Sequence, residues 1–147
     1  MRRLAVLAVS VVLASSIVTP ITGAATPVSG TVSPTTPSVA WEGPARTANT
    51  AGPSDAQCAA PAAPPLPAGF CDDFSLTVTV PSGYWATHAG GVQVDLTGVP
   101  PAEDFDLYVY DNTGKEVATS GLPGSVESAL VPCADDAGSP YTVRAVY

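Results

Sequence analysis

Basic residues and histidine are scarce in this sequence. The 147-residue chain contains five lysines and arginines against thirteen aspartates and glutamates, and a single histidine. Nucleic acids and anionic membrane surfaces bind proteins through a cationic surface that displaces counterions, so this charge argues against both as partners. A zinc site is disfavoured as well, because there is no second histidine and no Cys-x-x-Cys pair. Cations and neutral polymers are the more natural partners.

The sequence also lacks an apolar run long enough to cross a membrane. The longest run, residues 4–13, is shorter than the roughly 20 residues that a transmembrane helix needs. Two arginines precede it and small residues follow up to Ala25, which is the layout of a secretory signal. Cleavage after Ala24 or Ala25 satisfies the need for small residues, and we favour Ala25. The sequence thus predicts a signal peptide over residues 1–25 and a secreted, extracellular protein without a membrane span.

Removal of this leader sets the size and charge of the mature protein. About 122 residues remain of the 147, enough for one domain and too few for two ordinary ones. Three basic residues remain against thirteen acidic ones, a net charge of −10.

Cysteine is rare, and the three that occur are expected to meet an oxidising compartment, where pairing is favoured. Cys58 and Cys71 lie 13 positions apart, and closing a loop of that size stabilises a fold by about 3 kcal/mol in the chain-entropy model. We predict a Cys58–Cys71 disulfide, which leaves Cys133 over. A Cys71–Cys133 pair is an open alternative, and so is a dimer linked through Cys133.

Residues 26–69 contain few large apolar side chains and many Pro, Ala, Thr, Ser and Gly residues. Nine of the sixteen prolines lie in this stretch. Such a segment buries too little apolar surface to offset the entropy of ordering, so we predict an extended, largely disordered linker. Trp41 is the exception, since its large apolar side chain favours docking on the folded domain.

From residue 70 onward, apolar and polar residues alternate with the period of half-buried strands. Glycine, proline, asparagine and aspartate separate the alternating segments, and no convincing helical period occurs outside the signal peptide. The predicted strands are 74–80, 92–96, 105–110, 115–119, 128–131 and 141–147. Short strands divided by such turns predict an all-β fold, a small antiparallel β-sandwich of jelly-roll-like form over residues 70–147.

One turn carries a second possible meaning. The sequence Asp111-Asn112-Thr113-Gly114 resembles the start of a calcium loop, but the glutamate that such a loop needs further on is not in position. We predict a hairpin turn in which Gly114 takes the left-handed conformation.

Catalytic constellations are missing from the sequence. No Gly-x-Ser-x-Gly elbow occurs, and the single His88 has no recognisable nucleophile at a defined spacing. We therefore expect no catalytic residues, no enzyme activity and an ordinary loop role for His88.

Four acidic residues are candidate calcium ligands. Asp104 and Asp106 project from the same face of one strand, and Asp72 and Asp73 begin a strand that could be its neighbour. The alternative is that these are solvent-facing acids that aid solubility and discourage edge pairing. No other cofactor is expected, and calcium is kept as a possibility only.

Four aromatic residues are candidate ligand-binding side chains. Tyr108 and Tyr110 lie on the polar face of their strand, where rings beside Asp106 could stack on sugars or grip an extended polypeptide. Tyr84 and Trp85 lie in a glycine-flanked loop, a common place for binding residues. The alternatives are cross-strand packing that covers the sheet, with Trp41 above it, and closure of one end of the sandwich.

Four stretches of the sequence resemble the bacterial pre-peptidase C-terminal (PPC) domain family. They are CDDFSLTV from Cys71, GVQVDL from Gly91, DFDLYVYD from Asp104 and PYTVR from Pro140. The resemblance covers roughly Trp41 to Tyr147, and the third stretch with its hairpin is the most specific.

The resemblance implies an accessory role. Such β-sandwiches accompany exported peptidases and other hydrolases, are often processed off, and in some members bind collagen, polysaccharide or calcium. This chain departs from the usual arrangement because it carries no catalytic domain, and Cys133 is not part of the family pattern. We expect a secreted non-catalytic binding module for an extracellular polysaccharide or protein. The alternative is a structural or processed segment of a larger exported peptidase or hydrolase.

Overall fold

A computed structural model describes residues 3–12, 25–44, 58, 71–98 and 104–146. Within these residues the chain forms nine strands and one short helix. In chain order they are β1 Arg3–Val12, β2 Ser29–Val32, β3 Ser38–Trp41, β4 Cys71–Val78, α1 Tyr84–Thr87, β5 His88–Thr97, β6 Asp106–Tyr110, β7 Glu116–Ser120, β8 Val126–Pro132 and β9 Tyr141–Val146.

The strands form two sheets that pack face to face, which confirms the predicted all-β sandwich. One sheet has four strands in the order β3-β1-β5-β8, and the other has five in the order β2-β4-β9-β6-β7. The pairs β4/β9, β6/β9, β6/β7 and β5/β8 are antiparallel. The pairs β1/β3, β1/β5 and β2/β4 are parallel, and every one of them involves a strand from the first 32 residues.

The sequence alternation decides which side chains enter the core, because successive side chains on a strand point to opposite faces of the sheet. Phe74, Leu76 and Val78 of β4 are at most 1% exposed, while the residues between them are exposed. The inward side chains of β5 and β6 are buried in the same way. Burying one such side chain stabilises the fold by about 1.5–3 kcal/mol. The apolar side chains packed between the two sheets are therefore the main source of stability.

The predicted hairpin turn joins β6 to β7. Gly114 has a φ of +80°, the left-handed conformation expected for it. The Asp111 carboxylate accepts hydrogen bonds from the backbone N–H groups of Thr113 at 2.9 Å and Lys115 at 3.1 Å. These local hydrogen bonds stabilise the turn.

The first part of the predicted linker differs from the expectation. Residues 26–44 contain strands β2 and β3 rather than a disordered chain. Trp41 is 4% exposed and stacks on Phe74 with ring centroids 3.9 Å apart, which confirms that it docks on the domain. A two-way backbone bridge between Thr26 and Glu42 ties the two ends of this segment. Burial of a few apolar residues thus offsets the entropy lost when this segment becomes ordered, although its composition predicted disorder. The remainder of the predicted linker, apart from Cys58, lies outside the described residues.

The apolar run of the predicted signal peptide also has a place in the fold. Strand β1 lies between β3 and β5 and runs parallel to both. Residues 13–24 and the cleavage region before Ala25 lie outside the described residues.

Two further predictions concern covalent and membrane structure. The disulfide between Cys58 and Cys71 is present, with Cα atoms 6.0 Å apart. Cys133 is a free, exposed thiol. In the described part of the chain, no helix has the length and apolar character to span a bilayer.

Candidate functional site

The outer face of the five-stranded sheet carries two tyrosine rings side by side. Tyr108 and Tyr110 are partly exposed and alternate with the buried Leu107 and Val109 on β6. Their ring centroids are 6.4 Å apart and their planes differ by 14°. The two rings therefore form one aromatic strip along the strand.

An ion pair on the neighbouring strands borders this strip. The register places Asp73 of β4 opposite Arg144 of β9, and Arg144 opposite Tyr108 of β6. The Arg144 guanidinium donates two hydrogen bonds of 2.7 Å to the two oxygens of the Asp73 carboxylate. Its central carbon lies 5.8 Å from the ring centroid of Tyr110, within the range of a cation–π contact. The guanidinium is thus fixed in position beside the aromatic rings.

We call this surface the tyrosine face, and it consists of Asp73, Asp106, Tyr108, Tyr110 and Arg144. Asp106 begins β6 next to the rings, and the Tyr108 hydroxyl donates to its carboxylate over a long 3.5 Å. Partial burial, followed by the nearby charge of Asp104, raises the pKa of Asp106 above its ordinary value, while the bond from Tyr108 opposes this shift. The face therefore combines flat rings, an oriented donor and carboxylate acceptors.

The four candidate calcium ligands do not form one cluster. Asp72 is buried, 6% exposed, on the core-facing side of β4, whereas Asp73 lies on the outer side and pairs with Arg144. Asp104 accepts a 2.7 Å hydrogen bond from the Gly124 backbone. In the described ranges, no three carboxylate, histidine or cysteine side chains come together as a metal site. Calcium binding stays a prediction, and the geometry does not strengthen it.

Tyr84 and Trp85 form a second aromatic cluster on helix α1. Tyr84 stacks on His88 with centroids 4.0 Å apart and meets Trp85 edge to face at 4.9 Å. The Trp85 indole N–H donates to the carbonyl of Ala134 over 2.9 Å. Both residues pack against the hydrophobic core, which is the geometry of closure at one end of the sandwich. Their role as ligand-binding residues stays a prediction.

His88 is held within the same cluster. Its Nδ1 lies 2.9 Å from the carbonyl oxygen of Tyr84 and 3.1 Å from the Thr87 hydroxyl. These local contacts hold the His88 ring in place beside Tyr84.

Trp41 does not cover the tyrosine face. The ring lies against Phe74 on the core side of β4, whereas Tyr108 and Tyr110 project from the opposite side of the sheet. The sequence alternative in which Trp41 packs over these tyrosines is therefore wrong.

Sequence reasoning missed a buried carboxylate that links the two sheets. Glu127 of β8 is 1% exposed, and its Oε2 atom accepts hydrogen bonds from the Ser120 hydroxyl of β7 and from the Leu122 backbone N–H. Its Oε1 atom has no hydrogen-bond partner among the described residues. The only sequence signal is that Glu127 alternates in phase with the buried Ala129 and Val131, which is unusual for an acid.

Comparison with known proteins does not assign this surface. No protein-family model, no curated protein and no solved structure matches the chain.

Proposed function

We propose that this protein is a secreted, non-catalytic module that binds an extracellular polysaccharide through the tyrosine face. The arrangement of Tyr108 and Tyr110 as two nearly parallel, partly exposed rings carries the proposal. Aromatic rings on a rigid strand offer flat apolar area at a low entropic cost, because each side chain has only two rotatable angles.

The polar groups beside the rings fit the same ligand class. Sugar rings present C–H faces that stack on aromatic side chains and hydroxyl groups that both donate and accept hydrogen bonds. Arg144 supplies donors, and the carboxylates of Asp73 and Asp106 supply acceptors. The ion pair between Asp73 and Arg144 holds these groups before a ligand arrives, which reduces the entropic cost of binding.

The acidic net charge of the protein narrows the class of polysaccharide ligands further. With a net charge of −8 for the whole chain, uronic-acid and sulfated polymers would be repelled. Neutral polysaccharides are therefore the proposed ligands.

A role without catalysis agrees with the state of the titratable residues. His88 is engaged in local contacts on helix α1, and the Asp73 carboxylate is bonded to Arg144. The resemblance to PPC domains supports the same accessory role. A segment of a larger exported hydrolase is the alternative that this resemblance also allows.

The test is retention on neutral polysaccharides, measured by affinity electrophoresis in gels containing soluble glucans, mannans or xylans. The wild-type chain is expected to be retarded by at least one of them. Tyr108→Ala and Tyr110→Ala should each weaken binding by about fivefold, since an aromatic contact contributes about 1 kcal/mol.

Thr77→Ala is the matched control, because Thr77 is an exposed residue on the outer side of β4. It should migrate like the wild type in every gel. If all variants were retarded equally, or if no neutral polymer retarded the wild type, the proposed ligand class would be wrong.

A further inference from the structure

Strand β1 lies between β3 and β5 in the four-stranded sheet. A mature protein without β1 would need another strand at this position. All ten residues of β1, Arg3–Val12, pair in parallel with β5, His88–Thr97. Four of them, Ala8 to Val11, pair on the other side with β3. The same ten residues lie within the predicted signal peptide, so cleavage at Ala25 removes this strand from the fold.

The two flanking strands also have contacts that do not involve β1. Strand β3 is anchored by Trp41 against Phe74 in the core and by the backbone bridge between Thr26 and Glu42. Strand β5 is held by its antiparallel pairing with β8 over seven residue pairs, Gly91–Thr97 with Val126–Pro132. Cleavage after Ala24 or Ala25 preserves both anchors, which leaves a slot between β3 and β5 with unpaired backbone groups on both sides.

Strand β5 has the composition of a central strand and not that of a natural edge. Natural edge strands are usually short or carry lysine, proline or bulges that prevent pairing. Strand β5 is ten residues long and contains neither lysine nor proline, and its inward side chains Val92, Val94 and Leu96 are 0% exposed. By contrast β7, an edge of the other sheet, has five residues and begins at Glu116 directly after Lys115.

Strand β3 is too short to close the slot. It has four residues, and the register through β1 aligns them with Gln93 to Leu96 only. His88 to Val92 would remain unpaired if β3 moved over, and the movement would pull Trp41 away from Phe74.

We infer that the mature protein accepts an extended segment of another polypeptide in this slot, by strand addition in parallel to β5. The segment is uncharged, about ten residues long and rich in valine, leucine and alanine. These are the properties of β1, RLAVLAVSVV, which fills this position in the full chain and is uncharged after its first residue. Backbone hydrogen bonds to β5 and β3 supply the affinity, and the alternating side chains supply the selectivity. The inference rests on the leader removal included in the proposed function, but it concerns a surface distinct from the tyrosine face.

The experiment uses a chain that begins at Thr26 and a synthetic peptide of residues 3–12. Hydrogen exchange is measured on the backbone amides of residues 92–96 that point towards the slot. Addition of the peptide should slow their exchange by about tenfold or more at saturation, with one peptide bound per chain. The same peptide with Val9→Pro is the matched control, since Val9 pairs with both Val39 and Val94 and proline cannot donate in the ladder.

The full chain, produced without export, is the second control. Its slot is already filled by β1, so these amides should exchange slowly and the peptide should not bind. If the chain from Thr26 refolds only in the presence of the unmodified peptide, the inference is also supported. Slow exchange at residues 92–96 in a monomeric chain without peptide, equal effects of the two peptides, or failure to refold with either would overturn it.

The mass of the exported protein tests the leader separately. A chain that begins near Thr26 supports the proposed export, and a chain that retains residues 1–25 contradicts it. The peptide experiment tests strand addition between β3 and β5 in both cases, because it starts from a chain that lacks residues 1–25 by design.

Discussion

The two sheets of this sandwich are built from different kinds of sequence. Four of the five strands in the five-stranded sheet come from residues 71–146 and pair antiparallel, and the fifth, β2, lies parallel at one edge. The four-stranded sheet takes only β5 and β8 from that region, while β1 and β3 come from the first 41 residues and pair in parallel.

The two sheets therefore differ in how much they depend on the N-terminal segment, which supplies one edge strand to the five-stranded sheet and two of the four strands to the other sheet. Antiparallel strands joined by short turns, such as β6 and β7, find each other through local chain geometry. The parallel pairs need long connections and depend on a distant segment being present. The tyrosine face lies on β4, β9 and β6, which all come from residues 71–146, whereas the proposed strand slot lies between β5 and the N-terminal strand β3.

The largest expected effect comes from breaking the contact between the two sheets. Phe74→Ala removes a ring that is 0% exposed and that stacks on Trp41 from the other sheet. Loss of its burial and the resulting cavity should lower the free energy of unfolding by about 3–5 kcal/mol. Urea unfolding followed by tryptophan fluorescence measures this change.

Leu122→Ala is the matched control for that experiment, because the Leu122 side chain is 69% exposed. It should change the free energy of unfolding by no more than about 0.5 kcal/mol. Similar costs for the two substitutions would show that the two sheets do not depend on Phe74 for their contact.

A smaller effect is expected at the edge where β7 of one sheet meets β8 of the other. Glu127→Ala leaves the hydroxyl of Ser120 and the backbone N–H of Leu122 without their acceptor. Both donors are only partly buried, so urea unfolding should show a loss of about 1 kcal/mol, the lower end of the cost of an unsatisfied buried donor. Glu116→Ala, which removes an exposed acid from β7, should leave stability nearly unchanged. Equal stability of both variants would mean that the Glu127 bonds do not tie the sheets together.

The smallest expected effect is a pH dependence of the free energy of unfolding that comes from Asp106, a residue of the five-stranded sheet. Burial raises the pKa of Asp106 above 3.8 in the native state, so the folded protein holds this proton more tightly than the unfolded chain. The contribution of Asp106 to stability is therefore fully present at a pH below 3.8 and is lost as the pH rises through the native pKa.

Asp106→Asn removes this titration. The stability difference between variant and wild type should move in favour of the variant as the pH rises from 3 towards about 7, as measured by urea midpoints across that range. A difference that stays constant with pH, or that moves in favour of the wild type, would contradict the raised pKa.

Much of the five-stranded sheet was predictable from the sequence, and so was part of the candidate site. The alternation of Phe74, Leu76 and Val78 with polar residues assigned both the strand and its buried face, and the position of Gly114 assigned the hairpin. The same alternation placed Tyr108 and Tyr110 on one outer surface. It did not reveal the pair between Asp73 and Arg144, because strand register between distant segments is not encoded in either strand alone.

Composition was a poorer guide where few residues decide the structure. A segment rich in proline, threonine and serine suggested disorder, yet residues 29–32 and 38–41 are strands. The contact of Trp41 with Phe74 in the core stabilises this segment in spite of its polar, proline-rich composition. The candidate calcium ligands are separated for a local reason, since the adjacent Asp72 and Asp73 point to opposite faces of their strand.

The sequence by itself determined the all-β class, the approximate positions of the strands from β4 to β9 and the acidic charge, because these follow from local periodicity and composition. The spacing favoured the Cys58–Cys71 disulfide but left the Cys71–Cys133 pair open. Only the tertiary structure decided which strands are neighbours, that Trp41 enters the core, that Arg144 lies beside the tyrosines, and that the apolar N-terminal run fits between β3 and β5. The physical reason is that contacts between distant segments depend on the register and packing of both partners at once, and a one-dimensional pattern describes only one partner at a time.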